Sequence, residues 1–177
     1  MIKEVKGNQL YFAKLREDAK IPTKNSEDAG RDVYACFEDK YMIIYPHKTK
    51  MIPTGICSAC SEDYYIQLVE RGSTGTKGIA QRCGVIDSGY RGEWFVPLTN
   101  TNNYIIIISK LTEEETIKEV FKNGIIPVNT IIYPYEKGIC QCVALPVPKM
   151  EVQEISVEEL QAILSKRGEG ALGSSNK

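Results

Sequence analysis

At 177 residues the chain is long enough for one domain with a buried core, and 22 Lys and Arg against 23 Asp and Glu leave a formal net charge of -1. A balance of that kind provides no electrostatic footprint for generic nucleic-acid or membrane-surface binding, although a local basic cluster could still hold a phosphorylated small molecule. The stretch Met1 to Lys6 is too charged for a signal peptide and no apolar run approaches the ~20 residues of a membrane span, so the expectation is a soluble, cytoplasmic protein.

The first strand signal is Gln9 to Leu15, apolar and aromatic, followed by turn chemistry from Ile21 to Asp28. In Ala29-Gly30-Arg31-Asp32-Val33-Tyr34-Ala35-Cys36 the alternation is that of a strand, and it sets the carboxylate of Asp32 just inside the strand start. Further strands are expected at Tyr41 to Tyr45, at Lys50 to Cys57 with breaks at Pro53 and Gly55, and at Tyr64 to Val69. Short strands punctuated about every 8 to 12 residues indicate a sandwich or jelly roll. The segment Glu70 to Gly78 then gathers glycines, hydroxyls and the cations Arg71 and Lys77, the donors a phosphate chain needs, without the spacing of a Walker loop.

Gly84-Val85-Ile86-Asp87-Ser88-Gly89-Tyr90-Arg91-Gly92-Glu93 reads as a β-hairpin built as a pocket, with Asp87 at its mouth and an alternating strand, Glu93 to Leu98, leaving on the far side. A turn at Asn100 to Asn103 and an apolar strand from Tyr104 to Ser109 follow. The capping box Thr112-Glu113-Glu114-Glu115 opens a helix over about 113–123, closed by Asn123-Gly124. Strands resume at Thr130 to Tyr133 and at Ile139 to Val147. A second capping box, Ser156 to Glu159, starts a short amphipathic helix over about 157–165. The tail from Arg167 to Lys177 repeats the arginine, glycine and hydroxyl chemistry of the Arg71 segment and is a candidate lid over an anionic ligand. The domain expected from this pattern spans residues 1–166, and the arm spans 167–177.

The six cysteines follow no disulfide-scaffold spacing. Most read as small buried apolar residues. Cys57 with Cys60 and Cys140 with Cys142 leave a four-thiolate zinc site as the alternative.

Taken together, five segments in order resemble the motifs of the trimeric dUTP pyrophosphatases: Ala29 to Tyr34, Glu70 to Lys77, Gly84 to Glu93, Tyr133 to Cys142 and Arg167 to Ser175. The resemblance implies a jelly-roll homotrimer whose active sites are shared between subunits, and Mg²⁺-dependent hydrolysis of dUTP to dUMP and pyrophosphate. It implies Asp87 as the general base for in-line attack of water on the α-phosphorus, and Tyr90 beneath the deoxyribose. Main-chain groups of Gly84, Val85, Ile86 and on to Phe95 would read the uracil. Arg71, Gly72, Ser73 and Gln141 would hold the phosphates, and Asp32 would reach the metal through water. Arg167, Gly173, Ser174 and Ser175 would grip the γ-phosphate end while Leu172 covers the base.

The chain also departs from that pattern. Gly72 stands where serine is usual, Leu172 where an aromatic is usual, Ala171 where glycine is usual, and Gly138 and Cys140 where arginine and alanine are common. These changes point to a weaker or slower enzyme. A dCTP deaminase of the same fold is the nearest rival, but the position where it needs a second carboxylate is Pro97, which can hold no proton. A non-catalytic protein that recognises a partner through the inserted helix, with the nucleotide as a switch, is the rival from another class.

Overall fold

The structure, a computed structural model, describes residues 4–122 and 129–168. It divides into two units, Met1–Val147 and Pro148–Lys177. The first unit carries β1 (Leu10–Lys14), β2 (Arg31–Val33), β3 (Tyr41–Ile44), β4 (Thr49–Pro53), β5 (Ile56–Cys60), β6 (Tyr64–Val69), α1 (Gly72–Gly75), β7 (Ile79–Gln81), β8 (Val85–Ile86), β9 (Phe95–Asn100), β10 (Ile106–Ser109), α2 (Glu113–Val120), β11 (Ile131–Pro134) and β12 (Cys140–Pro146). The second carries α3 (Val157–Ala162), whose capping box Ser156/Glu159 is present as expected. The fold is all-β with short helical insertions, as the strand spacing requires.

Four small sheets share one core: β1-β5, β11-β10-β3, β2-β12-β6-β8 and β4-β9-β7. Their inward faces bring together Trp94, Ile52, Val96, Leu98, Ile44, Ile66, Ile106 and Tyr133, all buried. The continuous isoleucine run of β10 follows from its position. It lies between β11, which runs parallel, and β3, which runs antiparallel, and every one of its residues is buried. Parallel neighbours need a crossover, and α2 lies on it. The helix is fastened to the end of β10 by Ser109 and Thr116, whose hydroxyls meet at 2.7 Å in the interior. Its N-terminus is the expected capping box of Thr112 and Glu115. The expected C-cap, Asn123-Gly124, lies outside the described residues.

Two features differ from the sequence-based expectation. The segment after β6 contains one helical turn, α1, because Arg71 has an extended backbone whose carbonyl accepts from the amides of Thr74 and Gly75. And Gly84 to Glu93 is not a hairpin. β8 pairs with β6, while β9 pairs with β4 and β7, so the segment arches from one sheet to another. The apolar alternation of both strands is satisfied equally well by either arrangement; burial of Trp94, Val96 and Leu98 in the shared core selects the arch.

Four of the six cysteines, Cys36, Cys60, Cys140 and Cys142, are buried, in keeping with the reading as core residues. Burial pushes the Cys142 thiol up to about 12 and the Cys140 thiol higher still, disfavouring thiolates. Cys57 and Cys60 belong to β5 and Cys140 and Cys142 to β12, in separate sheets. Among the described residues, no cluster of three or more His, Cys, Asp or Glu could hold a metal. No helix among them is long and apolar enough to cross a membrane.

Candidate active site

Asp32, Gln141 and Val69 form one rung of the sheet β2-β12-β6-β8. The rung matters because Arg71 lies two residues beyond Val69, the end of β6, and the same alignment that pairs the strands delivers its guanidinium to the carboxylate of Asp32. The pair is bidentate, with Nε donating to Oδ1 and Nη2 to Oδ2, both at 2.9 Å. Gln141 Nε2 adds a third donor to Oδ1 at 3.1 Å. The backbone of Asp32 is held from the other side by Thr23, whose carbonyl accepts its amide at 2.6 Å.

The remaining nitrogen of the guanidinium, Nη1, donates to Gly138 O at 3.0 Å, Ser73 Oγ at 3.2 Å and Tyr133 Oη at 3.4 Å. Tyr133 in turn donates to Gly138 O at 2.6 Å. Burial works against the charge of Arg71, yet Asp32 and the Tyr133 phenol outweigh it and hold the guanidinium above its usual pKa. Burial likewise raises the Tyr133 phenol, against the pull of Arg71. Each nitrogen of the guanidinium therefore has an acceptor, and the cation is locked in one geometry.

This network explains one of the sequence's departures. A Cβ on Gly138 would lie 3.0 Å from both Cβ and Cγ of Asp32, so the glycine is what lets the chain pack against the carboxylate. Gly72 is different: a Cβ there meets nothing within 4 Å. A recess of about 580 Å³ opens beside the network, lined by Lys24, Asn25, Asp32, Arg71 and Gln141 among others.

The second region lies on the opposite edge of the same sheet. From β2 to β8 there are three strand spacings, about 14 Å. β8 is an edge strand, so one side of its backbone pairs with β6 and the other faces outward with its N–H and C=O groups available. Gly84 brings it close: its carbonyl accepts from Leu68 N at 2.7 Å, and a Cβ would come within 2.8 Å of Leu68 O. A cavity of about 330 Å³ lies between this edge and β9, lined by Met51, Val85, Ile86, Asp87, Tyr90, Phe95 and Pro97.

Asp87 is exposed, and its carboxylate makes no hydrogen bond among the described residues. Its carbonyl accepts from Tyr90 N at 3.0 Å, closing a turn that aims the tyrosine back along the arch. Tyr90 Oη donates to Glu93 O at 2.9 Å, which fixes the ring direction. Val85 is 60 % and Met51 53 % exposed, so the cavity has an apolar wall that the described residues leave uncovered.

The structure thus brings Asp32, Arg71, Ser73 and Gln141 together, and separately Gly84, Val85, Ile86, Asp87, Tyr90 and Phe95, with Gly72 beside the first group. Arg167 lies in the second unit, its amide donating to Ser165 Oγ. Leu172, Gly173, Ser174 and Ser175 lie outside the described residues. Tyr133 was not among the expected site residues. An aromatic in a strand looks like core, and only its buried hydroxyl, which requires a partner, hints otherwise.

Fold and site define a class: a small all-β protein with a guanidinium-carboxylate anchor on one sheet edge and a carboxylate-bearing apolar recess on the other. Residues 17–113 match the dUTPase family profile. The chain is 32% identical to the deoxyuridine 5'-triphosphate nucleotidohydrolase of Nautilia profundicola, over 96% of this chain and 99% of that one. It is 31% identical to that of Clostridium tetani, over 95% and 97%. A mutant dUTPase of Staphylococcus bacteriophage 80alpha with dUpNHpp shares the fold, with a TM-score of 0.72 and 20% identity over 96% of this chain and 99% of that chain. The native dUTPase of EIAV shares it with a TM-score of 0.60 and 20% identity, over 84% and 98%. The chain belongs to the dUTPase family.

Proposed function

We propose that the protein hydrolyses dUTP to dUMP and pyrophosphate, with Asp87 as general base. The observation that carries this reading is the pairing of an exposed carboxylate, without a hydrogen bond among the described residues, with an apolar cavity whose edge strand has one side of its main chain unpaired among them. Uracil offers O4 as an acceptor and N3–H as a donor, and cytosine reverses both. A fixed main-chain N–H and C=O pair along Gly84, Val85, Ile86 and Phe95 therefore accepts one base and meets the other with like groups. Tyr90 stands beneath the sugar, where a 2'-hydroxyl clashes with the ring.

In the reaction, Asp87 takes a proton from water while the water oxygen bonds to the α-phosphorus. The bond from that phosphorus to the bridging oxygen breaks, and pyrophosphate leaves with the electron pair. General-base assistance contributes about 10²- to 10⁴-fold, and charge neutralisation with positioning supplies the rest. Arg71, Ser73, the Gly72 amide and Gln141 bind the phosphates, and Arg167 with Gly173, Ser174 and Ser175 closes on the γ-phosphate from the arm while Leu172 covers the base.

Mg²⁺ suits this donor set through its waters. Asp32 has about four lone-pair directions, of which Arg71 and Gln141 occupy three, leaving room for a metal-bound water but not for a dedicated cage. The dUTPase of phage phi11 of S. aureus coordinates a structural Mg(II) ion. When bound, the metal supplies charge neutralisation along the phosphate chain.

The phosphate anchor and the base recess lie at opposite edges of one sheet, which supports a homotrimer in which neighbouring subunits complete each site. The uncovered apolar wall around Met51 and Val85 agrees with such contacts. Deamination of dCTP is disfavoured: Pro97 is buried in β9, and the other carboxylate on the cavity wall, Glu93, already accepts from Gly55 N at 2.8 Å.

A nucleotide panel with Mg²⁺ and pyrophosphate detection tests the proposal. Release from dUTP far faster than from dCTP, dTTP or UTP is the expected result. No release from dUTP overturns it, and conversion of dCTP to dUTP supports the deaminase instead.

A further inference from the structure

The arch that carries Asp87 and Tyr90 has no ladder of its own, since its two ends belong to different sheets. Something else must hold it. Gly55 N donates to Glu93 Oε1 at 2.8 Å, Thr54 Oγ1 donates to Trp94 O at 2.7 Å, and Trp94 N donates to Ile56 O at 2.9 Å. All three tie the exit of the arch to the turn between β4 and β5.

That turn cannot shift. Gly55 has φ +65°, and a Cβ there would lie 2.8 Å from both Ala19 Cβ and Cys36 Sγ. Its carbonyl accepts Leu15 N at 2.7 Å, and Pro53 O accepts Cys36 N at 2.8 Å. Glu93 is thus bonded through its side chain to a rigid part of the core, while its own carbonyl receives the Tyr90 phenol at 2.9 Å. Glu93 joins the core to the phenol of the ring that faces the sugar, while Arg91, whose Nη1 donates to Ser58 O at 3.3 Å and Tyr90 O at 3.1 Å, ties the backbone of the same arch to β5.

We infer that Glu93 is a positioning residue for sugar selection: its carboxylate clamps the arch to the turn at Gly55 and thereby fixes Tyr90 against ribonucleotides. The inference rests on the role given to Tyr90 above. Looser tethering lets the ring yield to a 2'-hydroxyl, so the loss falls on discrimination rather than on turnover of dUTP.

The test is the ratio of kcat/KM for dUTP over UTP, read with thermal stability in wild type, Glu93→Gln, Glu93→Ala, Tyr90→Phe and Thr54→Val. Glu93→Gln keeps an oxygen acceptor for Gly55 and is expected to retain the ratio within about twofold, whereas Glu93→Ala lowers it about tenfold. Tyr90→Phe removes the phenol link from the other side, lowers the ratio in the same direction, and adds no further loss in the Glu93→Ala background. Thr54→Val breaks a neighbouring tie and is expected to reduce stability while leaving the ratio unchanged.

If Glu93→Ala slows both substrates equally with the ratio intact, the clamp is merely structural and the inference falls. Should that variant fail to fold, an unchanged ratio in Tyr90→Phe overturns it just as well. Wild-type protein that releases no pyrophosphate from dUTP overturns the reading of the whole site, a result distinct from an active wild type whose variants keep their selectivity.

Discussion

The anchor around Arg71 and the arch around Asp87 sit on two edges of one sheet and are built on opposite plans. At Arg71 the cation is locked: it donates to the carboxylate of Asp32, the hydroxyl of Ser73, the phenol of Tyr133 and the carbonyl of Gly138, while the amide of Gln141 donates to the same carboxylate. At Asp87 the carboxylate has no hydrogen-bond partner among the described residues and stands exposed over an apolar wall. A group that binds gains from being locked before the ligand arrives, because no ordering cost remains to be met. A base must keep its lone pairs for water, so it is held by its backbone and left bare at its oxygens.

The contrast breaks most sharply at Asp87. Asp87→Asn is expected to lower turnover by about 10²- to 10⁴-fold. Folding stability should stay within about 0.5 kcal/mol, because the side chain has no hydrogen bond to lose among the described residues. Pyrophosphate release, equilibrium binding of dUTP and thermal melting measure the three parts; loss of nucleotide binding along with turnover would show that Asp87 also holds substrate.

Arg71→Ala should do what Asp87→Asn does not and damage stability as well as affinity. The two side chains of the ion pair are 23% and 25% exposed, so removing the cation leaves a half-buried carboxylate unpaired. The expected cost is about 2 to 3 kcal/mol, below the range for fully buried pairs because some water reaches the site. Denaturant titration checks it, and an unchanged midpoint would mean that Gln141 and solvent suffice for Asp32.

Smaller effects separate support from contact. Tyr133→Phe leaves Gly138 O with one donor fewer and Arg71 less constrained, and is expected to weaken dUTP binding by about 1 kcal/mol with kcat barely altered. Gly72→Ser works in the other direction. The position has open space for a side chain, so the added hydroxyl should tighten triphosphate binding a few-fold, by about 0.5 to 1 kcal/mol. Titration with a non-hydrolysable analogue reads both; no gain in the serine variant would mean that Ser73 and the backbone already provide that contact.

How much of this was legible in the sequence depended on whether the signal was local. Tyr64–Val69 was bounded correctly because its alternation and flanking charges are local facts. Both capping boxes were found for the same reason. The broken strand from Lys50 to Cys57 resolved into β4 and β5, separated at the Pro53 and Gly55 punctuation already noted. The partner of β8, in contrast, is a matter of long-range packing. A period of two says which face is apolar and nothing about which neighbour lies alongside, so an arch was read as a hairpin. α1 escaped because glycines and threonines carry no helical periodicity, and Tyr133 because a hydroxyl on a strand aromatic does not announce its acceptor. The resemblance assigns Arg71 and Gln141 to the phosphates and Asp32 to the metal's waters; that the three bond to one another, aligned by one rung of β12, is something the sequence does not express.

That rung also sets an order of events during folding. β12 inserts between β2 and β6, and the bonds that depend on it join residues 109 and 67 positions apart. A nascent chain that has emerged only as far as β11 lacks the strand that joins β2 to β6, and with it the alignment that brings Arg71 to Asp32. Closure of the phosphate anchor is therefore a late step, paid for by long-range loop closure. Until then the open edges of β2 and β6 are where a stalled or truncated chain would pair with a stranger.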